Sequence, residues 1–335
     1  MILKLENTTT AEINRRLIVE REEGGAVALS RVLTLVIDAG YCDVEPAIAA
    51  ANAASREHPC RIIALVRDDN LDGAQVQGDL AAEIRLGGDA GASEVIVLYH
   101  SGELAQHLDT LVLPLLLPDA PVVTYWPCKA PDSPSTHPLG RLAQRRITDS
   151  RTAKDGLDLL LALRDHYAPG DTDLSWARTT LWRGLIASML DQPPYQPVLS
   201  ATVSEEAGHP SIDLVAAWLA LRLNVPVDLV RVPGAQGLTE LRLRRESGDI
   251  VVSRPDGSTA SFYVPGQPPQ HIMLPMRPLG ETLAEDLRRL DVDEAYGDVL
   301  CNGLPLVEPR LRPDHPDHAD HADRPDHPNE DEDDE

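Results

Sequence analysis

Lysine is almost missing from this chain. It stands only at positions 4, 129 and 154, and the remaining basic side chains are arginines. That skew fits a GC-rich coding sequence and points to no mechanism. Aromatic residues are scarce too, at 4% with a single Phe, so a core must rest on Leu, Val, Ile and Ala. Cys42, Cys60, Cys128 and Cys301 lie far apart, and no C-x-x-C pair exists. This argues against a zinc site or a thioredoxin-like motif and fits reduced thiols in the cytoplasm. No stretch approaches the ~18 uninterrupted apolar residues of a membrane span, and "MILKLENTTTAEINRR" contains no apolar leader region. The expectation is a soluble, cytoplasmic protein with no membrane partner.

Positive charge is also lacking: the formal net charge is -24. A nucleic-acid backbone is met by a basic surface, and no basic stripe interleaved with aromatics is present, so no nucleic-acid partner is expected. There is no G-x-S-x-G, no H-E-x-x-H and no paired-acid motif in a recognisable context. A triad gathered from distant positions leaves no local trace, so the missing motifs weigh against catalysis and do not decide it. The glycine-rich "LGGDAGAS" (86–93) leads from one strand into another, whereas a phosphate-cradling loop opens a helix; it reads as a hairpin connection.

What is present reads as two units and a tail. "SRVLTLVID", an Ala-rich helix and "CRIIALVRD" form a βαβ unit, which favours a parallel pair. "QVQGDLAAEIRL" reads as an edge strand, and "SEVIVLYH" and "PVVTYWP" as central ones. In "SGELAQHLDTLVLPLLLPD" a Ser cap precedes one apolar stripe, Leu104, Leu108, Leu111 and Leu115. Residues 1–150 therefore form an α/β domain with a mixed, partly parallel sheet.

Residues 151–307 read as an α+β domain. "PGDTDLSWARTTLWRGLIASMLDQPP" carries two apolar stripes: Leu174, Ala177, Leu181 and Leu185; and Trp182, Ile186 and Leu190. A helix apolar on two faces lies between layers or against a partner. Ser211 is a candidate cap for the next helix, and Asp291 with Glu294 suggests a later one. Between them, "TELRLRRESGDIVVSRPDGSTASFYVPG" alternates with period two around turn signals, an antiparallel meander. From Glu308 to Glu335 the chain holds twelve acids, three arginines and repeated Asp-His, a disordered acidic tail. His315, His318, His321 and His327 suit a transition metal, but without a fold to hold them the bland reading, a solubilising tail, is preferred. No metal and no cofactor are expected.

The most distinctive stretch is "HPLGRLAQRRITDSR" (137–151), four arginines in an acidic chain. Arg141 and Arg145, four apart, would share a helical face, with Arg146 projecting elsewhere. Arginines paired with carboxylates are the plain reading; an anion site or an acidic partner is the functional one. In "PGDTDLSWAR" (169–178), Asp171 and Asp173 can cap the following helix.

Taken in order, "SRVLTLVID", "HPCRIIALV", "LPLLLPDAPVVTYWP", "HPLGRLAQRRITDS", "PGDTDLSWARTTLWRGLIASMLDQPP", "RPDGSTASFYVPGQP" and "LAEDLRRLDVDEAYGDVL" resemble the glucose-6-phosphate dehydrogenase assembly protein family, OpcA. The resemblance runs from about residue 30 to 300 and excludes the tail. It implies a non-catalytic partner of glucose-6-phosphate dehydrogenase in the oxidative pentose phosphate pathway, acting by direct binding as assembly factor and activator. In photosynthetic relatives that partnership is linked to thioredoxin; no cysteine here sits on a redox motif, so that control is not carried over. The candidate partner contacts are Trp126, Arg141, Gln144, Arg145, Arg146, Asp171, Asp173, Trp176 and Arg178, although both segments could equally be the joint between the two domains. The alternative is a sugar-phosphate-binding enzyme or sensor of the same pathway.

Overall fold

The computed structural model describes residues 1–23, 32–41, 43–67, 80–86, 94–193, 195–205, 209–234 and 237–311. Cys42, the glycine-rich connection after Leu86 and the acidic tail after Leu311 lie outside them.

The first sheet holds β1 (Ile2–Leu5), β2 (Leu33–Gly40), β3 (Cys60–Arg67), β4 (Leu80–Arg85), β5 (Glu94–His100), β6 (Val122–Trp126), β7 (Arg145–Thr148) and β8 (Asp171–Asp173). Their order is β1-β4-β5-β3-β2-β6-β7-β8. The strands from β5 to β8 in that order are parallel; β4 is antiparallel to β5, and β1 to β4. Continuous apolar runs made β2, β3, β5 and β6 legible, because a parallel sheet is covered on both faces. Ile62, Ala64 and Val66 join one core with α2 (Val44–Ala54) and α9 (Leu279–Leu287). Ile63 and Leu65 join the other with α1 (Thr10–Glu23) and α3 (Leu108–Val112). The sheet takes strands from both sides of residue 150, since β8 pairs with β7.

Counted along the chain, the parallel strands lie in the order 3-2-1-4-5-6, that of doubly wound dinucleotide-binding sheets. Their switch point falls between the carboxyl ends of β2 and β6.

The second sheet runs β10 (Val227–Arg231), β9 (Ser200–Glu205), β11 (Leu238–Arg244), β12 (Ile250–Ser253), β13 (Thr259–Tyr263) and β14 (Gln270–Met273) in spatial order. β9 and β10 are parallel across α8 (Pro210–Leu223), and the rest is the antiparallel meander that period two announced. One core binds this sheet to α8, α5 (Gly156–Asp165), α7 (Thr180–Leu190) and α11 (Leu304–Leu311).

Local punctuation departs from expectation in four places. Pro114 sits in a 3-10 turn (Leu113–Leu115), so the Leu-rich helix is α3 flanked by single turns. The two-striped helix breaks at Arg178–Thr179 into α6 (Leu174–Ala177) and α7. Leu174 and Ala177 therefore pack into a core of the first sheet, while Trp182 and Ile186 pack into that of the second and Leu181 is exposed. Pro210 starts α8 early, so His209 rather than Ser211 is its cap. α10 (Glu294–Asp298) is capped by Asp293, which accepts from the Tyr296 amide at 2.9 Å.

α8 buries an ionisable group. Asp213 faces Arg231 at 3.5 Å, and burial pushes its carboxyl up to about 7 against that arginine's opposite pull. An unfolded Asp ionises near pH 3.9. Between about pH 4 and 7 the folded chain thus holds a proton that the unfolded chain has lost, and this group's contribution to stability falls as pH rises. Asp213→Asn should remove the slope. Urea unfolding at pH 5 and at pH 7.5 should show the wild type losing at least about 1 kcal/mol relative to the variant. Equal losses would contradict the burial argument.

Candidate functional site

The two distinctive segments meet in the seam where the first sheet joins the helices that follow. α4 spans only Pro138–Leu142 and Ala143 is extended, so Arg145 opens β7 and shares no helical face with Arg141. Glycine is required at both bends. A Cβ on Gly140 would lie 1.8 Å from the Pro134 carbonyl oxygen. Gly170 has φ +98 and its Cβ would lie 2.6 Å from the Gln144 carbonyl oxygen.

β7 and β8 then set charge against charge. Arg146 lies beside Asp171 in register, pairs with it, and donates to the Ala143 and Pro169 carbonyls at 3.1 and 2.5 Å. Arg145, on the other face, pairs with Asp286 of α9 and donates to the Asp291 carbonyl at 2.8 Å. Burial raises the Asp286 carboxyl, and Arg145 holds it back. The pair is incompletely satisfied: Arg145 Nε and Asp286 Oδ2 are buried without hydrogen-bond partners.

Asp173 is the hub. It caps α6 through the Ser175 amide at 2.8 Å. It also accepts from Thr148 Oγ1 at 2.6 Å, the Ser150 amide at 2.9 Å and Ser150 Oγ at 2.7 Å. Asp171 caps nothing in α6 and receives the Ala168 amide instead. Arg178 forks onto Asp149, both bonds 2.7 Å, while burial raises the Asp149 carboxyl. The Trp176 indole donates to Asp293 Oδ2 at 3.0 Å, and the Arg183 guanidinium stacks 3.4 Å from its ring centre. Burial brings Arg183 down to about 10. Arg145, Trp176, Arg183, Asp286 and Asp293 line an open cleft of about 470 Å3.

Of the nine sequence candidates, Arg141 and Gln144 are exposed and Arg178 is half-buried; the other six are buried. Trp126 lies apart from the seam. At the switch point its indole donates to Asp38 Oδ2 at 3.1 Å, and it meets His137 edge to face. Cys128 Sγ donates to Asp43 Oδ2 at 3.0 Å just beyond. Sequence reasoning missed Asp38, Asp149, Arg183, Asp286 and Asp293. Asp149 alone had a signal, since it closes the arginine segment; Asp286 and Asp293 join from more than a hundred residues away.

Two family models match the chain. One, the N-terminal domain of the glucose-6-phosphate dehydrogenase subunit, covers residues 51–165; the other, its C-terminal domain, covers 169–300. The chain belongs to the OpcA family. The boundary between the OpcA models falls just before β8, whose residues lie in the C-terminal match yet complete the first sheet. Comparison with curated proteins found no match. Among solved structures, an oxidoreductase from Sinorhizobium meliloti aligns at 9% identity and TM-score 0.45, over 84% of this chain and 97% of that one. A biliverdin reductase from Synechocystis, solved with biliverdin and NADP+, aligns at 10% identity and TM-score 0.40, over 84% and 99%. No described helix of this OpcA chain is long and apolar enough to cross a membrane.

Burial, with Asp43 beside it, pushes the Cys128 thiol up to about 11. Reactivity follows the thiolate, so this thiol should react slowly at neutral pH. Peptide-mapped alkylation by iodoacetamide at pH 8 should run at least about tenfold slower at Cys128 in the folded chain than in urea. Equal rates would contradict the assigned environment.

Proposed function

We propose that this chain is a non-catalytic assembly factor and activator of glucose-6-phosphate dehydrogenase that works by direct binding. The observation that carries the reading is the match of both halves of the chain to the two domains of a glucose-6-phosphate dehydrogenase subunit. The switch point favours a binding role over hydride transfer. The first βα turn reads "DAGYCDVEP" and lacks the G-x-G-x-x-G that lets a pyrophosphate approach. Asp43 and Glu45 put negative charge at the start of α2, where a phosphate would need a positive end. Trp126, at the end of β6, is buried in the core and bonded to Asp38 of β2.

In this reading the six buried candidates and half-buried Arg178 hold the two sheets' layers in one geometry, and Arg141 and Gln144 meet the partner. Arg145 and Arg146 are committed to Asp286 and Asp171, so that segment offers little to a sugar phosphate. The double variant Arg141→Glu, Gln144→Glu should keep the wild-type melting temperature. Its association with the dehydrogenase, read by sedimentation, should weaken at least about tenfold, the size of one lost charge-assisted contact. Unchanged association would move the docking face elsewhere; no association by the wild type would overturn the proposal.

A further inference from the structure

One helix face, with the cleft beside it, has no task in the fold. α7 carries Thr180, Arg183, Gly184 and Ala187 at i, i+3, i+4 and i+7, so the four form a single stripe. Thr180 and Arg183 line the open cleft of about 470 Å3, and the stripe leaves it through Gly184 and Ala187, both exposed.

Gly184 has no reason inside the chain. Glycine weakens a helix interior, and elsewhere in this fold close neighbours explain it. A Cβ on Gly280 would lie 2.6 Å from Ala53 Cβ, and one on Gly303 2.8 Å from the Ala217 carbonyl oxygen. A Cβ on Gly184 meets nothing within 4 Å among the described residues. The room it keeps lies outside, where a second backbone can approach.

Arg183 is held in place but not neutralised. Its guanidinium lies on Trp176; Nε donates to Thr179 Oγ1 at 3.0 Å, and Nη2 to Thr180 Oγ1 at 3.2 Å and to the Trp176 carbonyl at 3.4 Å. All three acceptors are uncharged; among the described residues Nη1 has no hydrogen bond and Arg183 no ion pair. The carboxylates nearby are engaged. Asp293 accepts from the Trp176 indole and the Tyr296 amide, and Glu285 pairs with Arg277 and Arg288. The cleft lining also holds an unmatched donor and an unmatched acceptor, Arg145 Nε and Asp286 Oδ2, on side chains each 4% exposed.

Asp291 and Glu294 stand exposed on the same lining, which disfavours a bare anion. A polypeptide bearing a carboxylate offers what this surface lacks: an anion for Arg183, amide donors and carbonyl acceptors beside it, and a backbone to lie over Gly184. Trp and Arg are also the side chains that most often anchor interfaces.

We infer that the α7 stripe and its cleft dock a segment of the dehydrogenase, with an Asp or Glu side chain of that segment on Arg183. The inference rests on the dehydrogenase reading and adds a second contact to that of Arg141 and Gln144.

Sedimentation of the full chain with the dehydrogenase of the same cell, beside melting curves, is the test. Gly184→Leu should melt no lower than the wild type, because its side chain meets open space, and should weaken association at least about tenfold by standing where the partner lies. Arg183→Gln should weaken association similarly, the loss of one charge-assisted contact. Should Arg183→Gln melt early, Gly184→Leu alone decides. A wild type that fails to associate would overturn the functional reading together with this inference. A wild type that associates, with unchanged affinity in either folded variant, would overturn this inference alone.

Discussion

Asp173→Ala should lower the unfolding free energy by about 4 kcal/mol or more. The carboxylate is fully buried and accepts four hydrogen bonds, from two hydroxyls and two backbone amides. Each donor orphaned in a dry site costs about 1–3 kcal/mol, and neighbours in one network do not add fully. The hydroxyls of Thr148 and Ser150 retain other partners, the Thr172 carbonyl and the Ser175 hydroxyl, so the two amides dominate the loss. Asp173→Asn keeps one oxygen acceptor but turns an amide toward donors; it should cost about half as much. Urea titration of the intact chain reads both. A loss below about 1 kcal/mol for the alanine variant would mean that β7, β8 and α6 are not held through this side chain.

The second large effect belongs to Arg145. Removing it strands the Asp286 carboxylate, wholly buried, and breaking a buried ion pair from one side costs about 3–5 kcal/mol. Arg145→Ala should fall in that range by urea titration. The double variant Arg145→Met, Asp286→Leu should recover most of it, because each partner already has an unmatched polar atom and both are expensive to desolvate. The pair then specifies how α9 sits on β7 more than it stabilises the fold. If the double variant were as unstable as Arg145→Ala, the pair would be a net source of stability and that statement would be wrong.

β2, β3, β5 and β6 were legible because each is a short apolar run between breakers; burial on both faces writes itself into composition. The meander was legible because Leu241 and Leu243 alternate with Arg242 and Arg244, a half-buried sheet's pattern. β8 was not legible. It is three residues long, reads Asp-Thr-Asp, and is a strand only because Arg146 and Thr148 stand ready to meet its carboxylates. Tertiary partners there override a sequence that says cap or loop. The same cause hid the end of α4. Arg141 and Arg145 have helical spacing, but Arg145 has its carboxylate on α9, and following that partner requires an extended backbone from Ala143 onward.

The candidate residues illustrate the same limit. A sequence shows that arginines and aspartates are concentrated in two segments; it cannot show that they neutralise each other. The plain reading, arginines satisfied by carboxylates, describes Arg145, Arg146 and Arg178.

For an activator, the physics is differential affinity. A partner raises the activity of an enzyme only by binding its active conformation or oligomer more tightly than the inactive one. A tenfold shift requires a preference of about 1.4 kcal/mol, within reach of a few interface contacts. Rigidity of the seam matters in that setting, because a surface that changed shape to suit both states would favour neither.

The most direct test mixes the purified chain with the glucose-6-phosphate dehydrogenase of the same cell and reads mass and initial rate on one sample. The result expected is a complex of defined mass together with a higher maximal rate or a lower substrate requirement, and no turnover by the chain alone. An unchanged rate with no complex at any concentration, or oxidation of glucose 6-phosphate by the chain without its partner, would contradict the account.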